Sequence, residues 1–280
     1  MAEYRGIDVS HHQGVIRWEE VKRAGIQFAM VRASYGWEDK EKQTDAQFHN
    51  NVKGAKQAGI PVGAYHYSYA TTPEEARKEA AFFLDIIKGY TFEYPLAYDV
   101  EAQVQAGLSR EQLTEVAMAF CEEVEKAGYY VMIYASKYWL ENKLDFGPLK
   151  RFDVWLAQWA DDATYSGNFG IWQRSNEGQI QGIDTRVDLD TAYRDYEQII
   201  RAAGLNGLAP VQPEKPKPVM RVGAKVEYSG YLYGTSYGVF RGKKVSGTYT
   251  VSRIIPKRKC GVLLNDGLGW VKESDCKVVG

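Results

Sequence analysis

Over the first two hundred residues, short runs rich in β-branched and aromatic residues alternate with stretches whose apolar positions recur every three or four residues. The short runs are "YRGIDVS", "QFAMVRAS", "PVGAYHYS", "YPLAYDVE", "YYVMIYAS", "FDVWLAQW", "FGIWQRS" and "RVDLDTA", and they predict eight strands. The longer pattern predicts amphipathic helices over Trp18–Ala24, Gln43–Ala58, Pro73–Ile87 and Arg110–Ala127, and a last one over Tyr193–Ala203 that stops at Gly204. Thr72 before Pro73, with Glu75 three residues on, has the form of a capping box with proline in the first turn. Gly59 and Gly128 fall where a left-handed cap ends a helix. Strands alternating with helices predict an α/β fold, a modified TIM-like (β/α) barrel rather than an open doubly wound sheet. The crossover between "FDVWLAQW" and "FGIWQRS" is short, so few helices are expected in the second half.

The pattern then changes. "LNGLAPVQPEKPKPVM" holds four of the nine prolines among alternating charges and predicts an extended linker over 206–220. Beyond it, short alternating runs with glycine turns predict a small all-β barrel over 221–280, with Asn265-Asp266-Gly267 as a hairpin turn. The expected division is therefore 1–205, a linker over 206–220, and 221–280.

Net charge divides the same way. The whole chain is near neutral at −1, but residues 211–280 carry 13 Lys+Arg against 5 Asp+Glu, leaving −9 on residues 1–210. An acidic body joined to a basic tail suggests two different partners. Three cysteines, Cys121, Cys260 and Cys276, are too few and too scattered for a disulfide framework or a zinc site, and two reduced thiols are expected at Cys260 and Cys276. The start "MAEYRGIDVS" has no basic segment leading into an apolar one, so no Sec signal is expected, and no apolar run reaches the roughly 20 residues that span a membrane.

Candidate chemistry lies at the ends of the predicted strands. In a (β/α) barrel the C-terminal strand ends converge on one face. Asp8 ends the first run, Asp99 and Glu101 end the fourth, and Asp188 lies in the last. Residues two apart share a strand face, so Asp99 and Glu101 should look the same way. Two carboxylates about 6 Å apart at an effective dielectric of about 20 repel by roughly 3 kcal/mol, about two pKa units. One of them should then hold its proton near neutral pH, the condition for a general acid of the kind glycosidases use. Tyr65, Tyr67, Tyr134, Trp159 and Trp172 would surround these acids with faces suited to sugar rings, and Gln158 could supply an amide for hydroxyls.

"GIDVSHHQG", "GAYHY", "AYDVE", "IYAS", "WLAQW" and the late "VDLD" occur in an order that resembles glycoside hydrolase family 25, the Chalaropsis-type lysozymes or muramidases, over about residues 3–203. The resemblance implies cleavage of the β-1,4 bond between N-acetylmuramic acid and N-acetylglucosamine in peptidoglycan. It implies Glu101 as general acid/base and Asp99 as the group that orients the substrate's own 2-acetamido nucleophile, with Asp8 and Asp188 positioning sugar and water. A direct nucleophilic role for Asp99 or Asp188 stays open at this point. Arg32 stands where the family often has lysine and is a candidate sugar contact.

The tail, through "GYLYGTSYG", "SGTYTVSRII" and "GLGWV", resembles the bacterial SH3-like cell-wall-binding modules of phage lysins. Tyr231, Tyr233, Tyr237, Tyr249 and Trp270 would stack on glycan or peptide. Lys243, Lys244, Lys257, Arg258 and Lys259 would meet anionic polymers of a wall of Gram-positive type. Together these features predict a peptidoglycan hydrolase of endolysin kind, held in the host cytoplasm until it is released to the wall.

Other classes find less support. No G-x-G-x-x-G follows the first strand, no serine stands in G-x-S-x-G, and no nucleic-acid module is recognisable. His11, His12, His49 and His66 are not spaced as metal ligands, since adjacent His11 and His12 should point apart, and no metal or cofactor is expected. A chitinase-like hydrolase and a wall-binding protein that no longer cleaves are the rival readings.

Overall fold

A computed structural model describes residues 3–210 and 219–279. The chain divides into two compact units, Met1–Val211 and Gln212–Gly280.

The first unit is a closed eight-stranded barrel with strands in sequence order: β1 (Tyr4–Val9), β2 (Phe28–Tyr35), β3 (Val62–Tyr67), β4 (Leu96–Asp99), β5 (Val131–Ser136), β6 (Asp153–Ala157), β7 (Ile171–Gly178) and β8 (Val187–Ala192). The first seven run parallel. The eighth does not: β8 is antiparallel to both β7 and β1. A regular (β/α) barrel needs a helical crossover before every strand, and the eight residues between β7 and β8 are too few for one. The chain therefore turns back, and closes the barrel from the opposite direction.

Alternate residues face inward. Phe28, Met30, Ala97, Met132, Tyr134, Trp155 and Ile171 form a buried cluster inside the barrel. Their strand neighbours Val31, Tyr98, Ile133, Leu156 and Trp172 pack in a second cluster against the helices. The interior is filled at its base by the stacked rings of Phe28 and Tyr94, 4.3 Å apart. Gly6 makes room there, since a Cβ at this position would lie 2.2 Å from the Phe28 ring.

The helices form as their patterns predict. Pro73–Ile87 starts at Thr72 with the full capping box and buries Ala76, Ala80, Phe83 and Ile87 along one stripe. Arg110–Lys126 packs beside it. The stretch expected as one helix over Gln43–Ala58 is instead a single turn, Lys40–Gln43, and a helix, Phe48–Gln57. Asp45 separates them, because its buried carboxylate is taken by Arg32 and His11. Gly204 ends the last helix in a left-handed conformation at φ 66°.

One segment of the expected linker packs with the barrel. Asn206 is fully buried, accepts from Tyr130 N at 2.7 Å and donates to Tyr94 O at 2.8 Å. Leu208 packs in the barrel's inner cluster, so the barrel runs past residue 205. The prolines at 213, 216 and 218 of the expected linker lie outside the described residues.

The second unit is a small antiparallel barrel. β9 (Lys225–Tyr233), β10 (Arg241–Ile254), β11 (Val262–Leu264) and β12 (Gly269–Val271) close on one another, and β13 (Cys276–Val278) adds to β9. Asn265 and Asp266, with φ 40° and 44°, turn the chain between β11 and β12. Val226, Tyr228, Leu232, Val251, Val262, Leu264 and Val271 make its core. Cys260 and Cys276 are free thiols. No helix among the described residues is long and apolar enough to cross a membrane.

Candidate active site

A cleft of about 190 Å³ opens where the parallel strands end, and Asp8, Asp99, Glu101 and Asp188 all line it. Asp8 and Asp99 come from the last turns of β1 and β4, and Glu101 from the loop just beyond β4. Asp188 arrives differently. It is the second residue of β8, which in a parallel strand would sit at the far end of the barrel. Because β8 is reversed, its beginning lies beside the end of β1, and Asp188 is paired in register with Asp8.

Burial sets the electrostatics. The Asp8 carboxyl is raised well above the ordinary aspartate range by burial first, and then by Asp190 and Asp188. Asp99 is raised well above it by burial and Glu101, with Arg32 pulling the other way. Glu101 opens toward solvent, yet the surrounding walls strip enough water from it to raise its pKa, and Asp188 adds to this. Asp188 is also raised by burial. Carboxylate repulsion, taken from the sequence as the cause, therefore ranks behind desolvation.

Tyr65, Tyr67, Tyr134 and Arg32 line the cleft as expected. Arg32 is fixed by its Nε donating to Asp45 Oδ2 at 2.9 Å. Three expected residues do not line it. Trp172 faces the helices, and its indole N–H donates to Gln158 O at 2.8 Å. Gln158 ties its own loop by donating to Thr164 Oγ1 at 2.8 Å. Trp159 stands at the rim, 59% exposed, with its indole N–H on Gln173 Oε1 at 3.0 Å. Strand parity explains Gln158 and Trp172, whereas Trp159 has the inward parity but lies two residues past the end of β6, at the rim. Trp155, Ala157 and Trp159 follow the inward face, whereas Gln158 and Trp172 fall on the other.

Sequence reasoning missed several groups. Gln173 is the hub of the site: its Oε1 accepts from Tyr134 Oη at 3.1 Å as well as from Trp159, and its Nε2 donates to Asp8 Oδ2 at 2.8 Å. Trp155 lies within the cleft wall and donates from Nε1 to Asp190 Oδ1 at 2.8 Å. Asp190 was within reach of the parity argument, being two residues from Asp188 on the same face. Ser10, His12 and Gln13, on the turn after β1, also line the cleft. The rings of His11 and His12 do not point apart; they pack 4.1 Å from one another.

This arrangement raises the proton affinity of its carboxyls, fixes Asp8 by a hydrogen bond and offers aromatic walls, which suits acid-assisted cleavage of a polyhydroxylated substrate. Comparison with known proteins agrees. The sequence profile of Glycosyl hydrolases family 25 matches residues 7–183. The autolytic lysozyme of Clostridium acetobutylicum is 29% identical over 191 residues, covering 66% of this chain and 55% of that protein, so the chain spans about half the length of this relative. The CTP1L endolysin shares the fold with a TM-score of 0.63 at 23% identity, over 71% of this chain and 70% of that one. The modular autolysin LytC of Streptococcus pneumoniae, solved in complex with a synthetic peptidoglycan ligand, superposes with a TM-score of 0.60 at 26% identity, over 68% of this chain and 47% of that one. The profile covers more than half of the chain, including the ends of β1 and β4 from which Asp8, Asp99 and Glu101 project, and the chain therefore belongs to glycosyl hydrolase family 25.

Proposed function

We propose that the barrel is a muramidase that cleaves the β-1,4 bond between N-acetylmuramic acid and N-acetylglucosamine in peptidoglycan. The observation that carries this reading is the convergence of Asp8, Asp99, Glu101 and Asp188 on one aromatic-walled cleft. Glu101, open to the cleft and raised in pKa, acts as general acid on the leaving oxygen and then as base toward water. Asp99 is buried, and its Oδ1 has no donor among the described residues. That unused acceptor suits the N–H of the substrate's 2-acetamido group, whose oxygen attacks the anomeric carbon. Asp8 and Asp188 position sugar and water.

The reading predicts that the protein clears suspensions of Gram-positive cell walls and that the first-formed reducing end, followed by NMR, is the β-anomer. Attack by the acetamido group and then by water inverts the centre twice. An initial α-product would show instead that a carboxylate directs water in a single displacement. Cleavage of chitin oligomers without clearing of walls would favour the chitinase-like alternative.

The C-terminal unit, in this proposal, is an SH3-like wall-binding module, and the whole chain acts as an endolysin. Tyr231 and Tyr237 are exposed and carry Arg241 and Arg258 over their faces at 4.3 and 3.9 Å. Tyr233, Tyr249 and Trp270 are half-buried, and Tyr249 packs against the core of the unit. Residues 1–210 alone should fold and cleave soluble glycan but sediment poorly with whole walls, because tethering no longer raises the local concentration. Residues 211–280 alone should sediment with walls and release as salt rises. Equal wall lysis by 1–210 and the full chain at limiting enzyme concentration would remove the binding role.

A further inference from the structure

Asp190 lies on the inward face of β8, one step deeper than Asp188, and the proposed reaction gives it no task. It is 2% exposed. Its Oδ1 accepts from Trp155 Nε1, and its Oδ2 has no donor among the described residues. The carboxyl of Asp8 lies within hydrogen-bonding reach of it, with its own Oδ2 already occupied by Gln173 Nε2. The other charged groups that face this pair are Asp188, on the same strand and itself within hydrogen-bonding reach of Asp8, and Arg174 on β7, which is exposed. Two buried carboxylates in contact would repel, and an oxygen buried without a donor is costly in its own right. A single proton between them removes both problems, as in other paired carboxyls.

We propose that Asp190 is a positioning residue of this site, whose carboxyl shares one proton with that of Asp8, and that the shared proton directs Asp8 toward the cleft and cancels one negative charge behind it. The bridge is finished by Trp155 on one side and Gln173 on the other, so each carboxyl is held at both of its ends. Gln173 in turn carries Tyr134 and Trp159, which joins the proton bridge to the aromatic wall.

The bridge gives folding a pH dependence of definite sign. Asp190 is pushed up to about 8, chiefly by burial, and Asp8 is raised as well. The pair therefore binds its shared proton more tightly folded than unfolded. Stability is therefore lost as pH rises from the ordinary aspartate range toward about 8, where Asp190 gives up its proton.

Asp190→Asn separates the proposal from a plain packing role. The amide keeps the acceptor for Trp155 and places an N–H where the shared proton sits, but it cannot titrate. Thermal unfolding should show the variant matching wild type near about pH 4 and surpassing it by a margin that widens up to about pH 8. Activity on cell walls near about pH 6 should stay within about threefold of wild type for Asp190→Asn, and fall about tenfold or more for Asp190→Leu, which leaves Asp8 without its partner. A stability difference that is constant with pH, or a loss in Asp190→Asn as large as in Asp190→Leu, would overturn the shared proton. The activity arm rests on the proposed hydrolase reading, but the unfolding arm does not. A wild type without wall activity would sink that reading and leave the bridge to be judged on stability alone.

Discussion

Glu101→Gln should reduce wall clearing by about 10²–10⁴-fold, equivalent to about 3–5 kcal/mol of barrier. Glutamine occupies the same volume and still accepts a hydrogen bond, but it has no proton to give to the leaving oxygen. The fold should be untouched, or slightly firmer at neutral pH. Burial raises the Glu101 pKa, so its ionisation costs the folded state some stability, and an amide does not incur that cost. For the same reason wild-type activity should be greatest on the acid side and decline as pH rises through the raised value. The check is a turbidity assay paired with thermal unfolding across pH. A variant that unfolds normally and clears walls within a few-fold of wild type would move the acid role to another carboxyl of the cleft.

The second large effect concerns folding. Glu79→Ala should cost about 3–5 kcal/mol, since it empties a buried acceptor that several donors share. Glu79 projects from the helix Pro73–Ile87 and is fully buried. It accepts from Ser68 Oγ at 2.5 Å, Tyr69 N at 2.7 Å and Ala70 N at 3.1 Å, and His66 Nε2 faces it at 3.6 Å. Alanine strands Tyr69 N and leaves Ala70 N and Ser68 Oγ only their contacts to Ser68 Oγ and Tyr98 Oη. The damage should not stay behind the barrel, because Ser68 N also donates to Asp99 O at 3.0 Å and Tyr67 precedes Ser68 on the cleft wall. Denaturant titration gives the loss directly, and Glu79→Gln, which keeps one acceptor, should lose less. A cost under about 1 kcal/mol for Glu79→Ala would mean that water or a rearranged loop satisfies the donors.

How much of this could be seen in the sequence depended on whether one strand face differs chemically from the other. Asp8, Asp99, Glu101 and Asp188 stood out because acids are foreign to a buried strand. Asp190 was equally visible by its spacing. Gln173 was not, since its neighbour Trp172 looks more like a sugar-binding residue and buried strands are apolar on both faces. Nothing in "FGIWQRS" tells which of the two points inward. The same ambiguity hid Trp155 behind Trp159. The helices were legible through their caps, as at Thr72 and Gly204, except where Asp45 is drawn to Arg32 and breaks the pattern. The direction of β8 left only an indirect trace, the shortness of the connection before it, although Asp188 could not reach the cleft without it.

The reversed last strand also decides where the barrel can be joined to anything else. Tyr4 and Ala192 are paired in register at the end of the barrel opposite the cleft, and Asn206 keeps the chain at that end by binding the backbone ahead of β4 and β5. Both points of attachment thus lie on the face opposite the cleft. A barrel of this design offers both ends of its chain on one side and keeps its mouth clear of them. Changes at this double handle then leave the carboxylates of the cleft, at the other end of the strands, untouched.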